Sequence, residues 1–212
     1  MFLEQIRYVD YETGLPQHGN HILAQQGTDS LFVYQAYNAQ IAAYAVAHQR
    51  FGGTHYSFNR MSWIKPNFLW MMYRCGWASK ENQERVLAIE IRQVDFERIL
   101  EAAVHSSFKP NLYQTRESWQ KDLQNSEVRI QWDPDHTPTG GKLERRAIQL
   151  GLKGQILRSF ATEWVLSIQD ITPFVLAQGE RVQARQMEAL QVVKETVYQV
   201  QSDSARQYLQ LD

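Results

Sequence analysis

The chain has one cysteine, Cys75, which excludes an internal disulfide and any Cys-rich metal site. A reducing compartment, the cytoplasm, is the expected setting. No stretch approaches the roughly 18 uninterrupted apolar residues of a membrane span, so no membrane partner is expected. The opening MFLEQIRYVDYETG lacks the basic segment and apolar run of a secretory signal. Charge of one sign is missing too. Lys plus Arg total 22 against 23 Asp plus Glu, a net −1, so bulk adhesion to nucleic acid or anionic lipid is unsupported. A local basic patch remains compatible with that balance. GxGxxG, P-loop, GxSxG, HExxH and CxxC signatures are all absent. The histidines are scattered. His18 and His21 are three apart without an accompanying carboxylate or thiol, and no metal is expected.

Aromatic residues are plentiful: six Trp, ten Tyr and nine Phe among 212 residues. They are either core or site. A chain of this length that is 43% hydrophobic can bury a core without staples.

The pattern along the chain is mixed. Residues 11–30 combine Gly, Pro, Gln and Asn with little periodicity and read as a loop or poorly ordered arm. LFVYQAY (31–37) reads as a strand, and Asn38 as the cap of a helix over 39–51. Residues 52–59 read as a flexible connection, and 60–65 as extended because Pro66 follows. Pro66 suits the first residue of a buried, nearly all-apolar helix that Gly76 ends. RVLAIEI (85–91) is a second strand, 94–104 has helical spacing, and a short helix is expected over 117–124. VRIQWDP (128–134) and RRAIQLGL (145–152) read as a hairpin with a long mobile tip over 133–142. Residues 153–162 look helical and 163–172 extended. From Gly179 the spacing of Leu190, Val193, Val197 and Val200 reads as one long helix, open to docking on its own domain or to self-association. The expected fold is α+β. It is a single domain over 1–178 with an N-terminal arm (1–30), a mixed sheet of at least five strands around a buried central helix, and a long C-terminal helix over 179–212.

The stretch from Arg60 to Trp77 carries the strongest chemical signal, with three of the six Trp and three cations. Trp70, Arg74 and Trp77 fall at i, i+4 and i+7 and share a helix face. Arg74 between two indoles either stacks with its donors free for a phosphate or carboxylate, or pairs with a structural acid. Arg60 and Lys65 flank the helix start, a setting suited to an anion or to two solvated charges. Alternation puts Tyr34 on one strand face and Gln35 with Tyr37 on the other. Gln35, if buried, needs hydrogen-bond partners from a ligand or from backbone. Arg129, Gln131 and Asp133 share a face of 128–134, either solvent-exposed or the wall of a polar site. Arg146 and Ile148 share a face of the partner strand, with Gln149 on the other. Glu90 is a further candidate acid. Cys75 reads as a buried structural thiol rather than a nucleophile.

Five segments resemble one family in its own order: VYQAYN (33–38), RMSWIKPNFLWMMYRCGWASKENQERVLAIEI (60–91), VRIQWDPDH (128–136), RRAIQLGL (145–152) and EWVLSIQDITP (163–173). The chain resembles the bacterial and fungal domain-of-unknown-function family DUF4291, and the WIKPNFLWMMYR run is highly specific. That resemblance implies no activity. The layout of the first half also resembles ADP-ribosyltransferase-type folds, which implies NAD as cofactor. Where those folds carry His or Arg on the first strand, this chain has Tyr34 and Gln35.

The expected function is an enzyme, of ADP-ribosyltransferase-like type in its most specific form, acting on a nucleotide, a phosphate-bearing small molecule or a nucleic-acid end. Arg60, Lys65 and Arg74 would hold the anion. Tyr34, Tyr37, Trp63 and Trp70 would stack on a ring. Gln35, Arg129, Gln131 and Arg146 would orient the ligand, with Asp133 and Gln35 as catalytic candidates. The alternatives are a non-catalytic module for single-stranded nucleic acid or a peptide, and an interaction protein working through the 180–210 helix.

Overall fold

The computed structural model describes residues 1–212. Its elements are, in chain order, β1 (Gln5–Arg7), α1 (Tyr8–Thr13), β2 (His18–Asn20), β3 (Leu23–Ala24), β4 (Ser30–Tyr37), α2 (Ala39–His48), β5 (Ser62–Ile64), α3 (Phe68–Cys75), β6 (Arg85–Arg92), α4 (Gln93–Glu101), β7 (Ala103–His105), α5 (Arg116–Asn125), β8 (Val128–His136), β9 (Lys142–Leu152), α6 (Gly154–Ser159), β10 (Val165–Asp170), α7 (Thr172–Gln183), β11 (Gln191–Val193), β12 (Thr196–Val197) and α8 (Asp203–Leu209). The class is α+β, a single domain.

Two sheets dominate. The first is antiparallel, in the order β10-β6-β4. Its strands are apolar almost continuously because both faces are covered. Odd positions of β4 and β6, Leu31, Val33, Leu87 and Ile89, enter one core cluster; even positions Phe32, Tyr34, Val86 and Ala88 enter a second. The first core is closed by Val128, Ile130, Ile148 and Leu150 of the other large sheet, and by Phe96 and Ile99 of α4. The second is closed by α3 and by Val175 of α7.

The other large sheet is mixed and five-stranded, in the order β2-β9-β8-β7, with β5 pairing β9 as well. The β8–β9 hairpin is antiparallel, whereas β2 and β7 join in parallel. The short strand β5 links the two sheets. Its residues 62–64 pair β9, and the next residue, Lys65, exchanges two backbone hydrogen bonds with Tyr34 of β4.

Several expectations need correction. Residues 11–30 are ordered: α1, β2 and β3 form there, and Tyr11, Leu15, Ile22, Leu23 and Ala24 are buried. The helix after Asn38 stops at His48, where Gln49 turns left-handed at φ 52. The helix expected from Pro66 begins instead at Phe68, with Asn67 as its cap, accepting from the Trp70 N–H at 2.6 Å. Gly76, at φ 59, ends it as expected. Helix α4 stops at Glu101 and β7 follows. The hairpin tip is not long: β8 runs to His136, and the Thr137 N–H and Gly141 carbonyl close the turn at 2.8 Å. A π-helical turn over Phe160–Trp164 precedes β10.

The largest correction concerns the C-terminus, where no long helix forms. Helix α7 ends at Gln183, and the rest becomes a 3-10 turn, two short strands and α8. The segment QVVKETV is rich in β-branched residues, and it pairs β11 with β1 and β12 with β3. The 3–4 spacing that mimicked a helix falls on Leu190, Val193 and Val200, all buried in this chain's own cores. The helical extension over 179–212 and self-association through it therefore fall away.

This C-terminal stretch also delivers Glu195 into the interior, 4% exposed. Its carboxylate accepts from the Phe68 N–H at 2.6 Å, Asn67 Nδ2 at 3.0 Å and the Tyr11 hydroxyl at 2.8 Å. It thus ties α1, the tail and the start of α3 together. Burial pushes the carboxyl up to about 8, from an ordinary 4.5, against the pull of those donors. The folded state therefore holds a proton between pH 4.5 and 8 that the unfolded chain releases. That contribution to stability is fully present below 4.5 and is lost as pH rises through 8. Thermal unfolding followed from pH 5 to 8.5 should show stability declining, by on the order of 1 kcal/mol per pH unit at most. Glu195→Gln has no proton to lose and should flatten that decline; equal slopes in both proteins would refute the assignment.

Candidate functional site

A cleft of about 830 Å³ opens beside the junction of the two sheets. Its floor is β5. Alternation along this segment sends Ile64 into the core and turns Trp63 and Lys65 toward the cleft. The Trp63 indole approaches β9 closely because residue 151 is glycine: a Cβ there would meet Met61 Sδ at 2.6 Å and Trp63 Cζ2 at 2.9 Å.

One wall is the end of β4 and the loop after α2. Gln35 Nε2 donates to Ser62 Oγ at 2.7 Å and to the Trp63 carbonyl at 3.3 Å. The amide nitrogen is thus committed to the floor, and Gln35 Oε1 is buried with no donor. Tyr37 hydrogen-bonds Ser62 Oγ at 2.9 Å and packs edge-on against Tyr56, which itself stacks on Phe51. The Tyr56 hydroxyl is also buried without a partner.

The opposite wall is the polar face of the hairpin. Gln131 and Gln149 are directly opposed in the β8–β9 register. Both donate to Asp133, Gln131 Nε2 to Oδ1 at 2.9 Å and Gln149 Nε2 to Oδ2 at 2.7 Å. Each carboxylate oxygen is therefore fixed by one amide, and Asp133 is held toward the cleft.

Three cations converge here, and none forms a salt bridge. Arg60 and Arg74 are exposed at the rim. The Arg74 guanidinium lies 5.8 Å from the Trp70 ring centroid. Lys65 is 6% exposed, and its Nζ has one partner, the Trp63 carbonyl at 3.4 Å. Burial pulls this ammonium down to about 7, and the Arg74 charge pulls the same way. The field of Asp133 opposes them.

Of the residues singled out from sequence, Gln35, Tyr37, Arg60, Trp63, Lys65, Arg74, Gln131 and Asp133 line this cleft. The others do not. Tyr34 is fully buried in the second core, edge-on to Phe68. Trp70 is 3% exposed and packs against the stacked pair Tyr73 and His136, outside the cleft lining. Trp77 lies beyond the helix at φ 55, so it does not share a face with Trp70 and Arg74. Its indole Nε1 donates to the Pro138 carbonyl at 3.1 Å. Arg129 lies outside the lining and its Nε is unpartnered. Arg146 bonds the Trp132 carbonyl at 2.9 Å, off the site. Glu90 is buried and held by the Ser30 and Ser167 hydroxyls, so it is structural. Cys75 is buried with its thiol pushed up by burial, as the structural reading required.

Gln149 and Tyr56 belong to the site and were not foreseen as part of it. Parity alone separates Gln149 from Arg146 but does not say which faces the cleft; the register does. Tyr56 lies in a segment without periodicity, and no local signal marks it. No three His, Cys, Asp or Glu side chains converge in a way that could hold a metal. No helix is long and apolar enough to cross a membrane.

The family model described as Domain of unknown function (DUF4291) matches residues 21–198, most of the chain. No curated protein matches it.

The Asp133 clamp has a measurable consequence. Gln149→Leu removes the donor to Oδ2 in a site only 7% exposed at that residue, and should cost about 1–3 kcal/mol in urea unfolding. Combined with Asp133→Asn the losses should be less than additive, because the two changes break one network. Full additivity would show that the contact contributes nothing.

Proposed function

The chain belongs to the DUF4291 family, and we propose that its cleft binds a nucleotide or other phosphate-bearing small molecule as an enzyme's substrate. One observation carries the reading: Arg60, Lys65 and Arg74 line one cleft and none of them forms a salt bridge, although Asp133 and Glu81 line it too. Cations left unpaired beside one another repel, and an anion between them relieves that repulsion. The polar floor and aromatic wall supply the remainder. Tyr37, Tyr56 and Trp63 offer faces and edges to a ring. Asp133, clamped by two amides, serves as general base or as acceptor for a ligand hydroxyl.

The volume favours a compact ligand over a polymer, since about 830 Å³ is typical of small-molecule sites. A single-stranded nucleic-acid groove would need a longer cationic track than three residues beside a net charge of −1. A nucleic-acid end fits the same cleft as a mononucleotide does. An ADP-ribosyl-type transfer, with NAD as the ligand, is the most specific form of the proposal. It rests on analogy of layout.

Isothermal titration with AMP, NAD and a short RNA tests the reading. AMP should bind, and Arg60→Ala and Arg74→Ala should each weaken it about 10- to 100-fold. Above pH 7 the phosphate is already dianionic, so further pH dependence reports the protein. Lys65 loses its charge as pH rises through about 7, and affinity should fall between pH 7 and 9. No heat at millimolar concentrations of any of the three would dispose of the proposal.

A further inference from the structure

We propose that Lys65 is a nucleophilic amine that condenses with the carbonyl carbon of a phosphorylated aldehyde or ketone, such as an open-chain sugar phosphate, bound in this cleft. The inference rests on the anion-binding reading above, which it deepens by naming the reacting group of the substrate.

The geometry is the first argument. Lys65 is the one buried lysine of the chain; the other six are exposed or half-exposed. A lysine buried for structural reasons needs a carboxylate or a set of carbonyls around its three donors. Lys65 has one carbonyl at 3.4 Å and no ion pair. The contrast with Arg145 is direct. That buried cation is paired with Asp135 at 2.8 Å and Glu12 at 3.1 Å and also bonds the Pro16 carbonyl. The same fold thus neutralises one interior cation fully and leaves the other with open valences at the edge of a cavity.

The second argument is the anchoring of the chain beneath it. Lys65 exchanges two backbone hydrogen bonds with Tyr34, and its neighbour Ile64 is fully buried in the core. A fixed backbone holds this residue at the cleft floor, in the cavity that Arg74 of α3 and Asp133 of β8 also line. With Arg60 and Arg74 on the phosphate at the rim, a carbonyl several atoms from that phosphate reaches the floor.

The third argument is protonation. Burial first, then the Arg74 charge, bring the amine to about 7, against the fields of the Cys75 thiol and the Asp133 carboxylate. About half of the protein at pH 7 then carries a neutral amine, against about one in 2,500 for an ordinary lysine. Desolvation beside another cation is a recognised route to a Schiff-base lysine.

The step balances without a further reagent. The Nζ lone pair attacks the carbonyl carbon, and the C=O π pair moves to oxygen. Both protons of the neutral amine pass to that oxygen, the C–O bond breaks, and water leaves. An imine C=N bond remains, with no change in oxidation state.

The test uses the intact protein at pH 7 with pyridoxal 5′-phosphate as a phosphate-bearing aldehyde, followed by borohydride reduction and peptide mapping by mass spectrometry. Lys65 should be labelled at least tenfold ahead of each other lysine, and excess AMP should protect it. Lys65→Arg cannot form the imine and should lose the label at that position, with the other lysines labelled as in the wild type. Mapping of the wild type alone remains decisive if that variant does not fold. AMP binding with label spread over surface lysines and absent from Lys65 would overturn the imine and leave the binding reading standing. Label on Lys65 that AMP does not protect, in a protein that does not bind AMP, would support the reactive amine while overturning the anion-binding reading beneath it.

Discussion

Two backbone hydrogen bonds between Tyr34 and Lys65 hold the architecture together at its most consequential point. The two large sheets otherwise meet through side-chain packing, and β5 is only three residues long. By pairing β9 along residues 62–64 and β4 at residue 65, this segment makes one curved wall from two sheets. The cleft lies in that curve. Pro66 follows at once and cannot donate, so the extended run ends there and Asn67 starts α3 in a new direction. Strand, proline, cap and helix are thus placed within a few residues, and the functional side chains Trp63, Lys65 and Arg74 all hang from that one turn of chain.

The start of α3 is secured from behind by Glu195. A helix with no acidic residue in its first turn has bare N–H groups inside the protein. Asn67 satisfies one and Glu195 another, reaching in from 127 residues away in sequence. The N-terminal and C-terminal segments are therefore both required to hold the helix that carries Arg74. Both segments are also built into the cores: Tyr11, Leu15, Leu23, Leu190, Val192 and Val193 join α3 in the second core, and Ile22, Ala24, Tyr198, Val200 and Leu209 enter the first. The site sits at the edge of a deep interior. Helix α3 is buried over most of its length, and Arg74 projects at its exposed end.

Local periodicity made most of this fold legible. The strands β4, β6, β8 and β9 and the helices α2 and α3 are strong because each buries a full face, so residue pattern and structure coincide. Alternation also separated Tyr34 from Gln35 and Tyr37, and it grouped Gln131 with Asp133. The failures share a cause. In the tail, Leu190 and Val193 pack in one core and Val200 in the other, and a spacing produced by two short strands and a turn imitates a helix. The environment of Trp70 is set by His136, 66 residues away, which stacks on it and makes it core. Gln149 became visible only with the hairpin register. Each missing fact is a long-range contact, and no local window contains one.

The same contrast bears on why the cations of the cleft point to chemistry. Elsewhere the chain settles its interior charges: Asp95 has Arg98, Arg145 has two carboxylates, and Glu90 has two hydroxyls. Even Asp133 is held by two amides. Lys65 is the exception: it borders the cavity with one long hydrogen bond and no carboxylate. A buried ammonium without a carboxylate is costly to a fold, and a chain that pairs Arg145 so fully has no packing reason to leave Lys65 without one. A hydrophobic residue at position 65 would stabilise the protein more. The arrangement is best accounted for by a ligand that is anionic where Lys65 and the arginines line the cleft.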